Sequence, residues 1–403
     1  MKPLILFSIL VFVSRPPLQA QWQFRGIQGQ NVHSLLTTGS LTYAGSDSGS
    51  YRSTDDGLTW VRRSNGLPIS PAFPKAFAIT GAGLFAATNG AGGVYLTTND
   101  GLTWGVANSG LTGTAVHALV FDGSVLFAGI NGNGVFQSTN NGGRWQQLDT
   151  GLTNLAVHSL LITGNRIFAG TDGGVFVSTN NGGSWSLPPG GPITIRSLAS
   201  IGTDVFAASN ATGIFKSTDN GLTWATASNG LTSLAVRAII SHGSNLFAGT
   251  NGGGVQLSTN GGNTWAEINT GLSQLSILSL AVNANTLYAG ALIGGVWTRP
   301  LSEIIVAVDE QSLSAPLTLR LEQNYPNPFN PMTTIIYHTA APGHVRLEVY
   351  NEQGGRVATL VDKELSAGAY SARWDASAVA SGVYFYRLES GTGSATRRLT
   401  ILK

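Results

Sequence analysis

The sequence predicts an all-β chain: a seven-bladed β-propeller of four-stranded blades, followed by a small Ig-like β-sandwich. Three observations carry this reading. First, an octapeptide recurs six times and closes on Trp60, Trp104, Trp145, Trp185, Trp224 and Trp265, at intervals of 44, 41, 40, 39 and 41 residues. A period of that size marks one supersecondary unit copied along the chain. Second, an apolar signature typified by Leu246-Phe-Ala-Gly begins at Leu41, Leu84, Leu126, Ile167, Val205, Leu246 and Leu287, which makes seven units. Third, the two ends complement each other. The seventh unit stops after Gly294-Gly-Val-Trp-Thr-Arg-Pro300 without a last strand, while Trp22-Gln-Phe-Arg-Gly-Ile27 aligns with last strands such as Trp104-Gly-Val-Ala-Asn-Ser. The first segment of the chain therefore completes the final sheet, and the ring closes with only short, protected edges.

Each position of the octapeptide has a mechanical reason. In Ser217-Thr-Asp-Asn-Gly-Leu-Thr-Trp224, the Asp can accept a hydrogen bond from its own backbone, and the glycine supplies a positive φ. The Ser can bond across the hairpin, and the tryptophan plugs the gap beside the next sheet. The third position is Asp55 or Asp219 in two copies and Asn99, Asn140, Asn180 or Asn260 in four. That interchange suits a turn and would ruin a catalytic acid or a metal ligand.

Within a unit, Ala156-Val-His-Ser-Leu-Leu-Ile-Thr-Gly, Asn165-Arg-Ile-Phe-Ala-Gly-Thr, Gly174-Val-Phe-Val-Ser-Thr and Gly183-Ser-Trp-Ser read as four alternating strands divided by turn residues. This repeat region spans residues 21–299. Residues 1–20 carry one lysine, the apolar run Leu4 to Val13 and then Pro16-Pro-Leu-Gln-Ala20. They read as a secretory signal peptide, with cleavage expected after Ala20. The run is too short to span a bilayer, and no transmembrane segment is expected elsewhere.

Residues 300–320 read as a tether. From residue 321 to 403 the chain enters through a proline-rich segment, expected to be rigid and extended. Six alternating strands follow, beginning near Thr333, Val345, Arg356, Ala369, Val383 and Thr396, a spacing that suits a small sandwich.

Composition closes off several function classes. A net charge of +2 offers no electrostatic surface for nucleic acid. With no cysteine there is no disulfide, thiolate metal cluster or cysteine nucleophile. Gly129-Ile-Asn-Gly-Asn-Gly134 lies between strands with no helix after it, so it is not a phosphate cradle. No cofactor and no metal site are expected, and the chain is expected to be a monomer.

Two resemblances add to this reading. The repeat Ser/Thr-x-Asp/Asn-x-Gly-x-Thr-Trp resembles the Asp box of bacterial-neuraminidase-type repeats, a group that includes sialidases, certain endoglucanases and a photosystem assembly factor that acts by binding protein. The C-terminal region is similar to the type A C-terminal sorting domain of the type IX secretion system. Its motifs are Tyr325-Pro-Asn-Pro-Phe-Asn-Pro331, Val349-Tyr-Asn-Glu-Gln-Gly-Gly-Arg-Val357, Ala367-Gly368, Trp374-Asp375, Ser381-Gly-Val-Tyr-Phe-Tyr-Arg-Leu388 and Lys403. That resemblance implies a Gram-negative bacterium, passage through the periplasm, delivery across the outer membrane, and the secretion machinery as partner of residues 321–403. The mature product would be secreted or held on the outer cell surface.

The candidate site comes from the innermost strands. They share the frame Val-x-Ser/Ala-Leu, and position x reads His33, Lys75, His117, His158, Arg196, Arg237 and Leu278. Six of the seven are cationic or imidazole, at equivalent places near one mouth of the channel, with the Asp boxes on the opposite face. Two readings stay open. The residues attract an anion, such as an anionic glycan or an acidic patch on another surface protein, by focusing field into a narrow opening. Alternatively, they are amphipathic side chains that seal the hub with their polar ends in water.

Catalysis is weighed against this. A sialidase-type hydrolase needs a tyrosine nucleophile with its glutamate, an arginine triad and an acid. Residues 21–299 hold a single glutamate, Glu267, following a box tryptophan, and only two of the hub positions are arginine. Asp47 and Asp172 lie in turns where sister units have Asn89, Asn131, Asn210 and Asn251, so turn chemistry accounts for them. The expectation is a non-catalytic binding and interaction propeller with no catalytic residues. A secreted glycoside hydrolase, sialidase- or endoglucanase-like, acting at the same mouth is the alternative.

Overall fold

A computed structural model describes residues 21–68, 72–90, 92–304, 319–324, 326–366, 368–391 and 393–402. The expected signal peptide, most of the expected tether, and Tyr325, Ala367 and Lys403 of the sorting motifs lie outside the described residues. By its internal contacts the chain divides into one unit through Ser302 and a second from Glu303.

In the first unit, seven antiparallel meanders follow one another. The first is Val32–Thr38, Leu41–Ser46, Gly49–Ser53 and Val61–Arg62. The second strand of each blade is the most buried, because both of its faces meet neighbouring sheets. Phe85, Phe127, Phe168, Phe206, Phe247 and Tyr288 repeat at one position in that strand and are each sealed from solvent. The small residues that follow them have their own reason. A methyl group on Gly45 would collide with the Pro74 carbonyl of the next blade, and one on Gly290 with Val32. Sister blades carry Ala87 and Ala208 at this position, both fully buried, so the site admits nothing larger than a methyl group.

Closure is physical. Gln23–Gly26 pairs antiparallel with Gly295–Pro300, giving the last sheet the order Gln23–Gly26, Gly295–Pro300, Thr286–Ala291, Ile277–Val282. The seven sheets form a closed propeller. The fourth blade departs from the four-strand pattern, since its outermost strand is reduced to a single bridge between Val177 and Ser186. Its sequence there runs into Pro188 and Pro189, which cannot extend a ladder.

The box turn works through its serine or threonine as much as its Asp or Asn. Ser217 Oγ donates to Asp219 Oδ1 (2.7 Å) and accepts from Gly221 N (2.7 Å), while Asp219 Oδ1 accepts from Thr223 N at 2.9 Å. Not only the box glycine but also the residue before it has a positive φ, at Asp56, Asp100, Asn141, Asn181, Asn220 and Gly261. This explains why the fourth box position is restricted to Asp, Asn or Gly. Four of the six box tryptophans reach back rather than forward: Trp104, Trp145, Trp185 and Trp265 donate from Nε1 to carbonyls of the preceding blade, at Arg63, Ala107, Leu148 and Ala227. Trp22 does the same to Ile268 O at 2.6 Å, so the closing segment plays the part of a box tryptophan. Trp60 and Trp224 instead donate to Gly57 O and Gly221 O of their own turns.

The second unit is a β-sandwich. A sheet ordered Arg320–Leu321, Met332–Thr339, Gly368–Asp375 accompanies one ordered Arg356–Leu365, Gly343–Asn351, Gly382–Ser390, Gly393–Ile401. Ile335, Tyr337, Leu347, Trp374, Tyr386 and Leu388 fill the space between them. The proline-rich segment from 326 to 331 forms a series of bends, not the extended run expected. Asn324 anchors it, donating to Thr333 Oγ1 (2.9 Å) and to Pro326 O (3.0 Å). Among the described residues no helix is long and apolar enough to cross a membrane.

Candidate functional site

Every innermost strand carries the same irregularity, at the same place. Val32 pairs with Ser46 and Ser34 with Gly45, so His33 is left over as a bulged residue. The register slips identically at Lys75, His117, His158, Arg196, Arg237 and Leu278. A bulge opposes two residues to one and re-aims the extra side chain. Here the extra side chains converge. Lys75, on the second blade, senses the charges of Arg237 on the sixth and Arg196 on the fifth, which are not its neighbours around the ring.

The turns between second and third strands lie on this same mouth and supply partners. His33 Nε2 is 2.7 Å from Asp47 Oδ1, and its ring stacks on Phe73 with centroids 3.8 Å apart. His117 and His158 meet Nδ1 to Nδ1 at 3.1 Å; beyond them, His117 Nε2 lies 3.0 Å from the Asn89 side chain and His158 Nε2 3.1 Å from Asp172 Oδ1. Arg196 Nη1 donates to the same Asp172 oxygen at 2.7 Å. With both imidazoles neutral, His158 donates from Nε2 to Asp172 and His117 donates from Nδ1 to His158, which leaves His117 Nε2 facing Asn89 Oδ1 at 3.0 Å.

The electrostatics agree. Burial lowers all three histidines, and His117 falls to about 3, with Lys75 the next cause. They are therefore neutral hydrogen-bonding groups at physiological pH, not the cations that a bare ring of imidazoles would offer. Burial alone would raise Asp172, but the bonds from Arg196 and His158 outweigh it and hold the carboxyl below its usual range.

Two members have no such partner. Lys75 makes no hydrogen bond or ion pair among the described residues, and its ammonium is pushed down to about 8, first by burial and then by Arg237 and Arg196. Arg237 likewise has no partner, and its Nε is buried and unsatisfied. Buried cationic donors normally find acceptors. The site thus divides into a neutralised arc of His33, His117, His158 and Arg196 and an open cationic pair, Lys75 with Arg237. Sequence reasoning assigned Asp47 and Asp172 to turn chemistry alone; the structure corrects this, since both also hold hub side chains. Phe73 and Asn89 were missed. A groove of about 490 Å³ lies elsewhere, beside the third blade's box turn, lined by Gln137, Thr139, Asn140, Arg144, Trp145 and Gln146. With Arg144 its sole charged group, it offers no comparable chemistry.

Comparison with known proteins bears on both units. Residues 323–402 match the family described as secretion system C-terminal sorting domain, and residues 99–229 match the DUF6242 beta propeller domain. The chain is a β-propeller protein that ends in a secretion sorting domain. That ending implies secretion. No curated protein matches the sequence. Among solved structures, the extracellular domain of the putative one component system BT4673 from B. thetaiotaomicron is similar at 11% identity and a TM-score of 0.57, over 95% of this chain and 59% of that one. YCF48 from Cyanidioschyzon merolae gives 13% and 0.55, over 70% and 99%. A GH74 xyloglucanase from Xanthomonas campestris gives 17% and 0.54, over 79% and 59%. Identities this low speak for the fold alone.

Proposed function

We propose that this protein is a non-catalytic binding propeller, displayed on or released from the outer surface of a Gram-negative cell, whose ligand presents an anion to the channel mouth. One observation carries the reading: Lys75 and Arg237, each half-buried and with Arg237 Nε sealed from solvent, have no side-chain partner among the described residues where seven bulged strands converge. Two uncompensated cations are costly to a fold, and an incoming anion supplies the acceptors they lack. Export through the type IX machinery, with residues 321–403 as the address, puts that mouth where surface or extracellular polymers are the available partners.

Hydrolysis is the weaker reading. Asp172, held ionised by Arg196 and His158, is in the wrong state for a general acid. Glu267 sits on an outermost strand, far along the blade from the hub. An array of acidic glycans and acidic peptides tests the binding reading. The parent chain is expected to bind, weakening with salt, and Lys75→Ala/Arg237→Ala and Arg196→Ala/Arg237→Ala chains are expected to lose binding. Retention of full binding by both double variants would overturn it. Turnover in a hydrolase panel would favour the alternative.

A further inference from the structure

The rim of the same mouth is asymmetric. Three residues before each hub residue the blades carry, in order, Gln30, Ala72, Thr114, Leu155, Ile193, Leu234 and Leu275. On the last three blades this residue is aliphatic and open to solvent, with Ile193 55%, Leu234 49% and Leu275 40% exposed. The adjoining turn of the seventh blade adds Ile293, 65% exposed, whose backbone N–H is tied to Asn31 Oδ1 at 2.8 Å. The backbone that carries two of them is anchored, because the carbonyls of Leu234 and Leu275 accept bonds from Gly213 and from Gly252 and Gly254 of the preceding blades. Exposed aliphatic side chains thus stand at one equivalent position on three consecutive blades, each three residues ahead of a hub residue, while Gln30, Ala72 and Thr114 on the first three blades are polar or small. Exposed apolar groups clustered beside charge mark an interaction surface.

We infer that the ligand is a polypeptide segment in which an acidic side chain or terminal carboxylate is flanked by aliphatic residues. The carboxylate enters the mouth between Lys75 and Arg237, and the flanking residues lie on Ile193, Leu234, Leu275 and Ile293. This rests on the anion-binding reading above and adds the class of partner. Two features favour a polypeptide. Among the described residues the exposed apolar groups named on this face are aliphatic, whereas sugar rings are held by stacking on exposed aromatic faces, and the Phe73 ring is occupied by His33. The cations are recessed and the aliphatics stand at the rim, so a narrow protruding acid fits and a flat anionic bilayer, which needs its basic residues outermost, does not.

The test uses the full chain and defined probes in fluorescence anisotropy. One dodecapeptide has a central Glu flanked by leucines in a Gly/Ser background; its control replaces the leucines by serines. Polygalacturonate and phosphatidylglycerol vesicles complete the set. The leucine peptide is expected to bind at least tenfold more tightly than the control. Leu234→Ser/Leu275→Ser is expected to erase that difference while leaving the weak binding of the control unchanged, and thermal unfolding checks that the variant is folded. Equal binding of the two peptides, no binding of either, or an unaffected Leu234→Ser/Leu275→Ser chain would overturn the inference. Polygalacturonate or vesicles bound in a Lys75- and Arg237-dependent way, without peptide binding, would remove the polypeptide and leave the anion-binding mouth standing. If Lys75→Ala/Arg237→Ala leaves every probe bound, that underlying reading fails.

Discussion

Lys75 and Arg237, brought from the second and sixth blades to one channel mouth, share it without an acceptor for either. Burial, and then the charges of Arg237 and Arg196, lower Lys75 to about 8, while the neighbouring His33, His117, His158 and Arg196 are all engaged with Asp47, Asn89, Asp172 or one another. Two consequences of this pair can be measured, and two more of the blade architecture.

Anion affinity should depend on pH with a definite sign. Lys75 is charged below its value near 8 and neutral above it, so affinity is high on the acid side and declines as pH rises through that value. Calorimetric titration with the leucine peptide across the range should show proton uptake on binding, because the arriving anion raises Lys75 again. Arg237→Ala should move the midpoint upward by removing a repelling charge. A flat profile would show that Lys75 takes no part.

Lys75→Met should stabilise the fold while weakening binding. In the unfolded chain a lysine titrates near 10.5, well above its folded value. The cost of its buried charge is thus present in full below about pH 8 and fades as pH climbs towards 10.5. The variant should melt a few degrees higher than the parent at neutral pH and converge with it in alkaline buffer. Scanning calorimetry at several pH values would decide.

Closure should rest heavily on Trp22. The side chain is buried, and its Nε1 donates to Ile268 O across the seam. Trp22→Ala should cost about 3–5 kcal/mol through the cavity and the lost contacts. Trp22→Phe keeps most of the packing and should cost only about 1–3 kcal/mol, for the carbonyl left without its donor. Urea unfolding of the two variants against the parent measures both.

The box carboxylate should be replaceable by its amide. Asp219 accepts from the Thr223 hydroxyl, from Thr223 N and from Ser217 Oγ, and these bonds hold it at about 2. In sister turns an amide oxygen accepts the backbone bond, and at Asn99, Asn180 and Asn260 the amide nitrogen donates to the hydroxyl instead. Asp219→Asn should therefore unfold at the parent's temperature at neutral pH. It should also be spared the loss that Asp219 brings as pH falls from its unfolded value near 4 through about 2. Ser217→Ala, which strands the buried Gly221 N–H, should cost about 1–3 kcal/mol.

Much of this was legible in the chain. Seven Phe-Ala-Gly-type strands against six boxes required a shared last blade, and the pairing of Gln23–Gly26 with Gly295–Pro300 supplies it. The hub position could also be read, because one frame places it on every blade. The division of the hub residues into satisfied and unsatisfied could not. His33 and His158 take the carboxylates 14 residues downstream, on their own blades. His117 instead takes Asn89, and Arg196 takes Asp172, each from the preceding blade. Which blade's turn reaches which hub residue depends on backbone placement that no spacing encodes.

The sequence by itself determined the number of blades, the closing seam, the box turns and the positions that would face one another, because these follow from local periodicity and backbone chemistry repeated seven times. Only the tertiary structure decided the charge state of the mouth and which half of its rim is aliphatic to solvent. Those properties belong to side chains from distant blades meeting in a low-dielectric space, where burial and neighbours, not residue type, set protonation and partner.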